Sequence, residues 1–187
     1  MSDSGTVKIL GISGSLRASS LNTAALRAAA ELAPAGMSIE LCDIGDLPLY
    51  NEDVRAQGFP APVQRLRERI KAADALLFAT PEYNYSTSGV LKNAIDWASR
   101  PPEQPFDGKP IAIMGASPGA LGSARAQYQL RQCFIFLNGH VLNKPEVMIA
   151  GAAGKFDAAG TLTDTPTRDF LAAMLVAFKA RTMRMRG

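Results

Sequence analysis

The sequence predicts an α/β fold in which a five-stranded parallel sheet carries helices on both faces. Three observations point there. Short, wholly apolar runs alternate with amphipathic stretches of ten or more residues, the pattern of repeated βαβ units. The 187 residues suffice for one good core and are too few for two, so residues 1–187 read as a single domain. Five strand-like segments joined by right-handed crossovers fit the strand order 2-1-3-4-5 better than a six-stranded dinucleotide fold.

The elements follow in order along the chain. Residues 7–12, VKILGI, open as a buried strand, and the alanine-rich stretch 22–32 follows as a helix. Residues 38–44, SIELCDI, alternate Ile39 and Leu41 with polar neighbours as a second strand. A long loop, 45–62, leads to a charged amphipathic helix over 63–73. The strand 75–79 comes next, then a helix over 90–98 and the proline-rich linker RPPEQPFDGKP. A fourth strand at 111–115 precedes a helix over 122–137, which Asn138-Gly139 closes as a left-handed cap. Residues 141–149 supply the final strand, interrupted at Pro145, and 168–184 the last helix. The arrangement is flavodoxin-like, a three-layer sandwich. Ligands of such sheets bind beyond the carboxyl ends of the strands, where the strand order reverses. That crevice lies between the loops after strands one and three.

Composition removes several classes. A hydrophobic fraction of 47% against 20% charged excludes a disordered chain. No apolar run approaches the roughly 18 residues of a membrane span. The start, MSDSGTVKIL, lacks the basic and long apolar regions of a secretory signal, so a cytoplasmic protein is expected. Cys42 and Cys133 sit in apolar patterns and read as buried free thiols of a reducing compartment. His140 has no Cys or His at ligand spacing, so no metal site is expected. The net charge of +3 is small, and much of the excess gathers at Lys179, Arg181, Arg184 and Arg186, where it complements a helix dipole. Neither nucleic acid nor a membrane is therefore an expected partner; anionic small ligands are tolerated.

Three loops fall on one sheet edge. The first, GISGSLRASSLN, combines Gly11 and Gly14 with hydroxyls at Ser13, Ser15, Ser19 and Ser20, the donor fork of Arg17, and Asn22 at the helix start. Unpaired N–H groups at a helix N-terminus beside an arginine fit a phosphate. The loop is neither a P-loop nor a G-x-G-x-x-G turn, and an ordinary capped βα turn is the plain alternative. In the second, PEYNYSTSG, Pro81 stops the strand, Ser86 or Ser88 can cap the next helix, and Gly89 lets that helix start close to the sheet. Folding needs leave Glu82, Tyr83, Asn84 and Tyr85 unexplained. Outward N–H groups here can recognise the carbonyl edge of a flat heterocycle, and the tyrosines can wall an aromatic plane. The alternative is a surface loop with incidental aromatics. The third, GASPGALGSARAQ, places Gly115, Gly119 and Gly122 with Ser117 and Pro118, either for close backbone approach to a ligand or as a flexible connection. A phosphate site beside a flat polar ring on this fold indicates FMN. ATP would call for a magnesium carboxylate and a P-loop lysine, and neither is in place.

The segments GSLRASSLN, LPLYNEDV and PEYNYSTSGVLKNAIDW resemble the NADPH-dependent FMN reductase family, with the greatest likeness to its bacterial quinone and chromate reductases, over residues 7–149. The resemblance implies a non-covalently bound FMN. Its phosphate would be held by Ser15, Arg17, Ser20 and Asn22. Its ring would lie beside Pro81, Glu82, Tyr83, Asn84 and Tyr85, with Ser117 and Gly119 on the other side. The implied activity is hydride transfer from NADPH or NADH through flavin N5 to a small-molecule electron acceptor by a ping-pong mechanism. Quinones, azo dyes, nitroaromatics, chromate and free flavin are the acceptors implied. The difficult chemistry belongs to the flavin, so no side chain is assigned as nucleophile or general acid. Glu82 is expected to be structural, and Arg125 is a candidate to draw anionic acceptors or the nicotinamide cofactor's phosphate. A homodimer or homotetramer is implied, with the loop 47–54 and the helix carrying Arg125 and Tyr128 as contacts. A flavodoxin-type electron carrier is the alternative, disfavoured by the slightly basic charge and by the arginine in the phosphate loop. A receiver module would need clustered aspartates where Gly14 and Pro81 stand.

Overall fold

Strands buried on both faces must be apolar almost throughout, because neither side of the sheet meets water. The computed structural model describes residues 5–186; residues 1–4, on which part of the leader reading falls, and residue 187 lie outside it. Four strands, β1 (Val7–Ser13), β2 (Met37–Cys42), β3 (Ala75–Ala79) and β4 (Pro110–Ala116), run parallel in the order β2-β1-β3-β4. Their register sets Ile9 beside Ile39 and Ala75, and Phe78 beside Ile113. The sheet continues to β5 (His140–Val141), while β6 (Val147–Ile149) pairs with the far end of β4. The order 2-1-3-4-5 is thus the one read from the sequence, with the last strand in two pieces. Pro145 has no N–H to give a ladder. In the gap, Arg131 donates to Leu142 O at 2.9 Å and to Asn143 Oδ1 at 3.2 Å.

Successive side chains of a strand point to opposite faces, and this feeds two cores. Val7, Ile9, Leu77 and Met114 share one with α1 (Leu21–Glu31) and α6 (Thr165–Met185), through Leu26, Leu171, Leu175 and Phe178. Leu10, Ile12, Leu76, Phe78 and Ile113 share the other with α3 (Ala61–Ala72), α4 (Gly89–Ala98) and α5 (Ala124–Phe136), through Leu66, Ile70, Leu91, Ile95, Leu130 and Phe134. Each of the larger buried side chains contributes about 1.5–3 kcal/mol.

The departures from the sequence reading have local causes. The loop 45–62 contains a short helix, α2 (Glu52–Ala56), started by Asn51, whose Oδ1 accepts from Asp53 N at 2.8 Å. It buries no side chain, so it leaves no apolar period to read. Helix α6 begins ahead of Arg168, because Asp164 caps it by accepting from Thr167 N and Pro166 sits in its first turn. Cys42 is buried, whereas Cys133 is only half-buried. A Cβ at Gly89 would meet open space, so close approach to the sheet is not why that residue is glycine. Asn138, with φ +52°, closes α5 as expected, and Gly139 N donates to Phe134 O at 2.9 Å.

Candidate functional site

The first loop leaves β1 at Ser13 and enters α1 through Ser20, whose buried hydroxyl caps the helix by accepting from Thr23 N at 3.2 Å. Ser15 N donates to Ser13 Oγ, which also accepts from the Thr23 hydroxyl at 2.8 Å. Among the described residues, the N–H groups of Leu16, Arg17, Ala18 and Ser19 find no acceptor in the chain, nor do those of Leu21 and Asn22 in the first helical turn. Arg17 is exposed, and its guanidinium makes one bond, 3.2 Å to Ser19 O. Such a set of free donors with an exposed cation suits an anion. The side chain of Asn22 is differently employed. It is 4% exposed, donates to Ala116 O at 3.0 Å and accepts from Ala116 N at 2.9 Å. It completes the end of β4 where β3 no longer reaches, so what Asn22 can offer a phosphate is its backbone N–H.

The second loop is welded to the first. Gly14 N donates to Ala79 O at 2.8 Å, and the Ser88 hydroxyl donates to Gly14 O at 2.6 Å while accepting from Leu91 N to cap α4. A Cβ on Gly14 would stand 2.9 Å from Pro81 Cδ, so here close approach does call for glycine. Beyond buried Pro81 and half-buried Glu82, residues 83–86 form a tight hairpin with two Tyr83–Ser86 backbone bonds of 2.9 Å each. Its central residues, Asn84 and Tyr85, both have positive φ, +49° and +66°, as a type I′ turn demands. Their N–H groups have no acceptor among the described residues, and the rings of Tyr83 and Tyr85 are exposed. Glu82, in contrast, faces inward. Its carboxylate accepts from the backbone N–H groups of Arg125 and Ala126 at 3.1 and 3.4 Å and pairs with the Arg125 guanidinium. That bond pushes the Arg125 pKa above its ordinary value.

The third loop is fixed from behind by residues whose role the sequence did not disclose. Ser117 N donates to Ile149 O, Ala152 N to Ser117 O, and Gly151 N to Gly119 O, at 3.0–3.1 Å. Gly119 N reaches the Ser117 hydroxyl at 3.2 Å. At Gly115 there is no room for a side chain: a Cβ would lie 2.4 Å from Thr80 O. The loop after β2 is held by α4. Asn93 accepts from Tyr50 N and donates to Pro48 O, and Trp97 Nε1 donates to the same carbonyl at 2.8 Å. Asn93 and Trp97 are four residues apart on one helix face, a spacing that could have revealed them. The clefts elsewhere include one of about 590 Å³ at the opposite end of the sheet, lined by Lys8, Glu40 and Arg69, far from these loops.

Free donors for an anion on one side of the strand crossover, and a donor-bearing hairpin with exposed aromatics packed directly against them, are the arrangement that a flavodoxin-like flavoprotein needs for FMN. Comparison with known proteins agrees. The sequence profile of NADPH-dependent FMN reductases matches residues 7–154, and the chain belongs to that family. It is 64% identical over 181 residues to an NAD(P)H-dependent FMN reductase of Pseudomonas aeruginosa, covering 97% of this chain and 98% of that one. It is 46% identical over 175 residues to the quinone reductase of Escherichia coli K12, covering 92% and 93%. Among solved structures it superposes on FerB, a flavoenzyme NAD(P)H:(acceptor) oxidoreductase from Paracoccus denitrificans, with a TM-score of 0.88 and 39% identity over 96% of this chain and 99% of that one.

Proposed function

We propose that the chain reduces quinones with electrons from NADPH or NADH, through FMN held between the first and second loops. One observation carries this reading: the unpaired N–H groups of residues 16–19 and those of Asn84 and Tyr85 belong to loops in direct contact at Gly14 and Pro81. Bound there, FMN would supply two-electron hydride chemistry between the nicotinamide and the acceptor, in the two half-reactions of a ping-pong cycle. Arg17, the free N–H groups after β1 and the Ser15 hydroxyl would hold its phosphate; charge-assisted bonds of this kind contribute about 1.5–3 kcal/mol each. Ser20 and Asn22 would serve the same end by fixing the first turn of α1 and the loop that precedes it. The N–H groups of Asn84 and Tyr85 would donate to the ring and stabilise negative charge on it. Pro81 sets the hairpin's position, Tyr83 and Tyr85 wall the pocket, and Ser117 and Gly119 border it across the crossover. Exposed tyrosines make a shallow site, which suits azo dyes, nitroaromatics, chromate and free flavin as further acceptors.

Self-association as a homodimer or homotetramer belongs to the same proposal. Leu49 on the loop after β2, and Tyr128, Ile135 and Phe136 on α5, are exposed, Phe136 to 91%. Two free thiols are compatible with a cytoplasmic setting, and no helix among the described residues is long and apolar enough to cross a membrane. The test is direct. Purified protein is expected to be yellow, to bleach on anaerobic addition of NADPH and to recover its colour with a quinone, with parallel double-reciprocal lines. A colourless preparation that takes up no FMN in a calorimeter overturns the reading; intersecting lines overturn the ping-pong order. A monomer mass by light scattering overturns the assembly.

A further inference from the structure

The hairpin after β3 holds two adjacent residues with Cβ atoms at positive φ, Asn84 and Tyr85. Asparagine tolerates that region, but tyrosine adopts it at a cost, and such a conformation persists only where the surroundings over-determine it. Type I′ turns ordinarily carry glycine where Tyr85 stands. Three things hold the turn here. Tyr83 and Ser86 exchange both backbone bonds, the Thr80 and Thr87 hydroxyls meet at 2.8 Å across its base, and the Arg125 guanidinium lies 3.6 Å from the centre of the Tyr85 ring.

The third contact is reciprocal. Glu82 leaves the hairpin to reach the start of α5, where it caps N–H groups that Ser123, itself at φ +68°, leaves without a side-chain cap. Arg125 leaves α5 to reach back over the hairpin. Glu82 is the buried root of this clamp, with 7% of its side chain exposed, and Tyr85 its open tip. Arg125 is thus tied at two points: one edge of its guanidinium belongs to the carboxylate and one of its faces to a ring, while 38% of its side chain stays exposed.

We infer that Glu82 and Arg125 are positioning residues, which lock the Asn84–Tyr85 turn so that its two free N–H groups favour the reduced, more negative form of the flavin over the oxidised form. The inference rests on the FMN reading above. It differs from a simple effect of charge in a way that experiment can read. By charge alone, Glu82→Gln removes a negative group and favours reduced flavin, whereas Arg125→Ala removes a positive group and disfavours it. By positioning, both changes release the same turn and both disfavour it.

Midpoint potentials of bound FMN in the wild type, Glu82→Gln, Arg125→Ala and Arg125→Lys, together with the affinity of each for oxidised FMN, decide the matter. All three variants are expected to bind reduced FMN about tenfold less tightly relative to oxidised FMN, a fall of about 30 mV for a two-electron couple. Lysine is expected not to rescue, because it retains the charge but not the planar stack. Shifts of opposite sign for Glu82→Gln and Arg125→Ala, or rescue by lysine, overturn the inference in favour of charge; unchanged potentials overturn it outright. Hydrogen exchange on the FMN-free proteins gives a second readout. Peptides spanning 82–88 are expected to exchange faster in the variants while β3 is unaltered, and equal exchange in all four overturns the clamp whether or not a variant retains FMN. Failure of the wild type to bind FMN would instead refute the functional reading.

Discussion

Replacing Asn22 by alanine separates a residue that serves the fold from one that serves a ligand. Alanine suits a helix at least as well as asparagine, so α1 itself loses nothing. What is lost is the pair of bonds to Ala116, at 3.0 and 2.9 Å, between two residues each 4% exposed. The Ala116 N–H and C=O are then buried without partners, at about 1–3 kcal/mol each. Water entering past the first loop recovers part of this, leaving about 2–4 kcal/mol. For a domain of this size that corresponds to a fall in Tm of about 5–15 °C. The assay is thermal unfolding of FMN-free protein by circular dichroism, since bound FMN would stabilise the native state by mass action and mask the difference. An Asn22→Ala protein that melts with the wild type, yet has lost FMN affinity, would refute the reasoning and return the side chain to the phosphate.

The remaining predictions address other parts of the same edge. Arg17→Ala is expected to leave the FMN-free Tm within about 1 °C, since an exposed side chain with one weak bond adds little, while the Kd for FMN rises about 10–150-fold on dialysis followed by flavin fluorescence. Gly115→Ala forces a methyl group against Thr80 O and the Ser123 hydroxyl; overpacking of this kind costs about 1–3 kcal/mol, and an unchanged melting curve would show that the third loop yields freely. Trp97→Phe removes the donor to Pro48 O from a fully buried site. The expected cost is about 2 kcal/mol from the bond and the space left, with faster proteolysis between residues 46 and 51. Burial pushes the Cys42 thiol pKa up, so less thiolate forms at any given pH, and alkylation at pH 8 is expected to lag well behind that of free cysteine.

Period and punctuation carry most of the fold. The all-apolar run at β3, the helical spacing of Leu91, Ala94 and Ile95, and the Ser88 and Asn138 caps are local signals, legible because each depends on residues a few positions apart. Chain connectivity then brings three loops to one edge, so a candidate ligand edge could be named before any side chain had been placed. The short α2, with no buried face, left no such signal. What only the tertiary structure decided is the employment of particular polar groups. Asn22 reads like a phosphate ligand but bonds across the sheet to Ala116, 94 residues on, and Glu82 pairs with an arginine 43 residues away. Trp97 looks like plain core yet secures a carbonyl at Pro48. A hydrogen bond between residues so distant in sequence has no period. It exists only when register, packing and rotamer bring donor and acceptor within about 3 Å, and that geometry is a property of the folded chain alone.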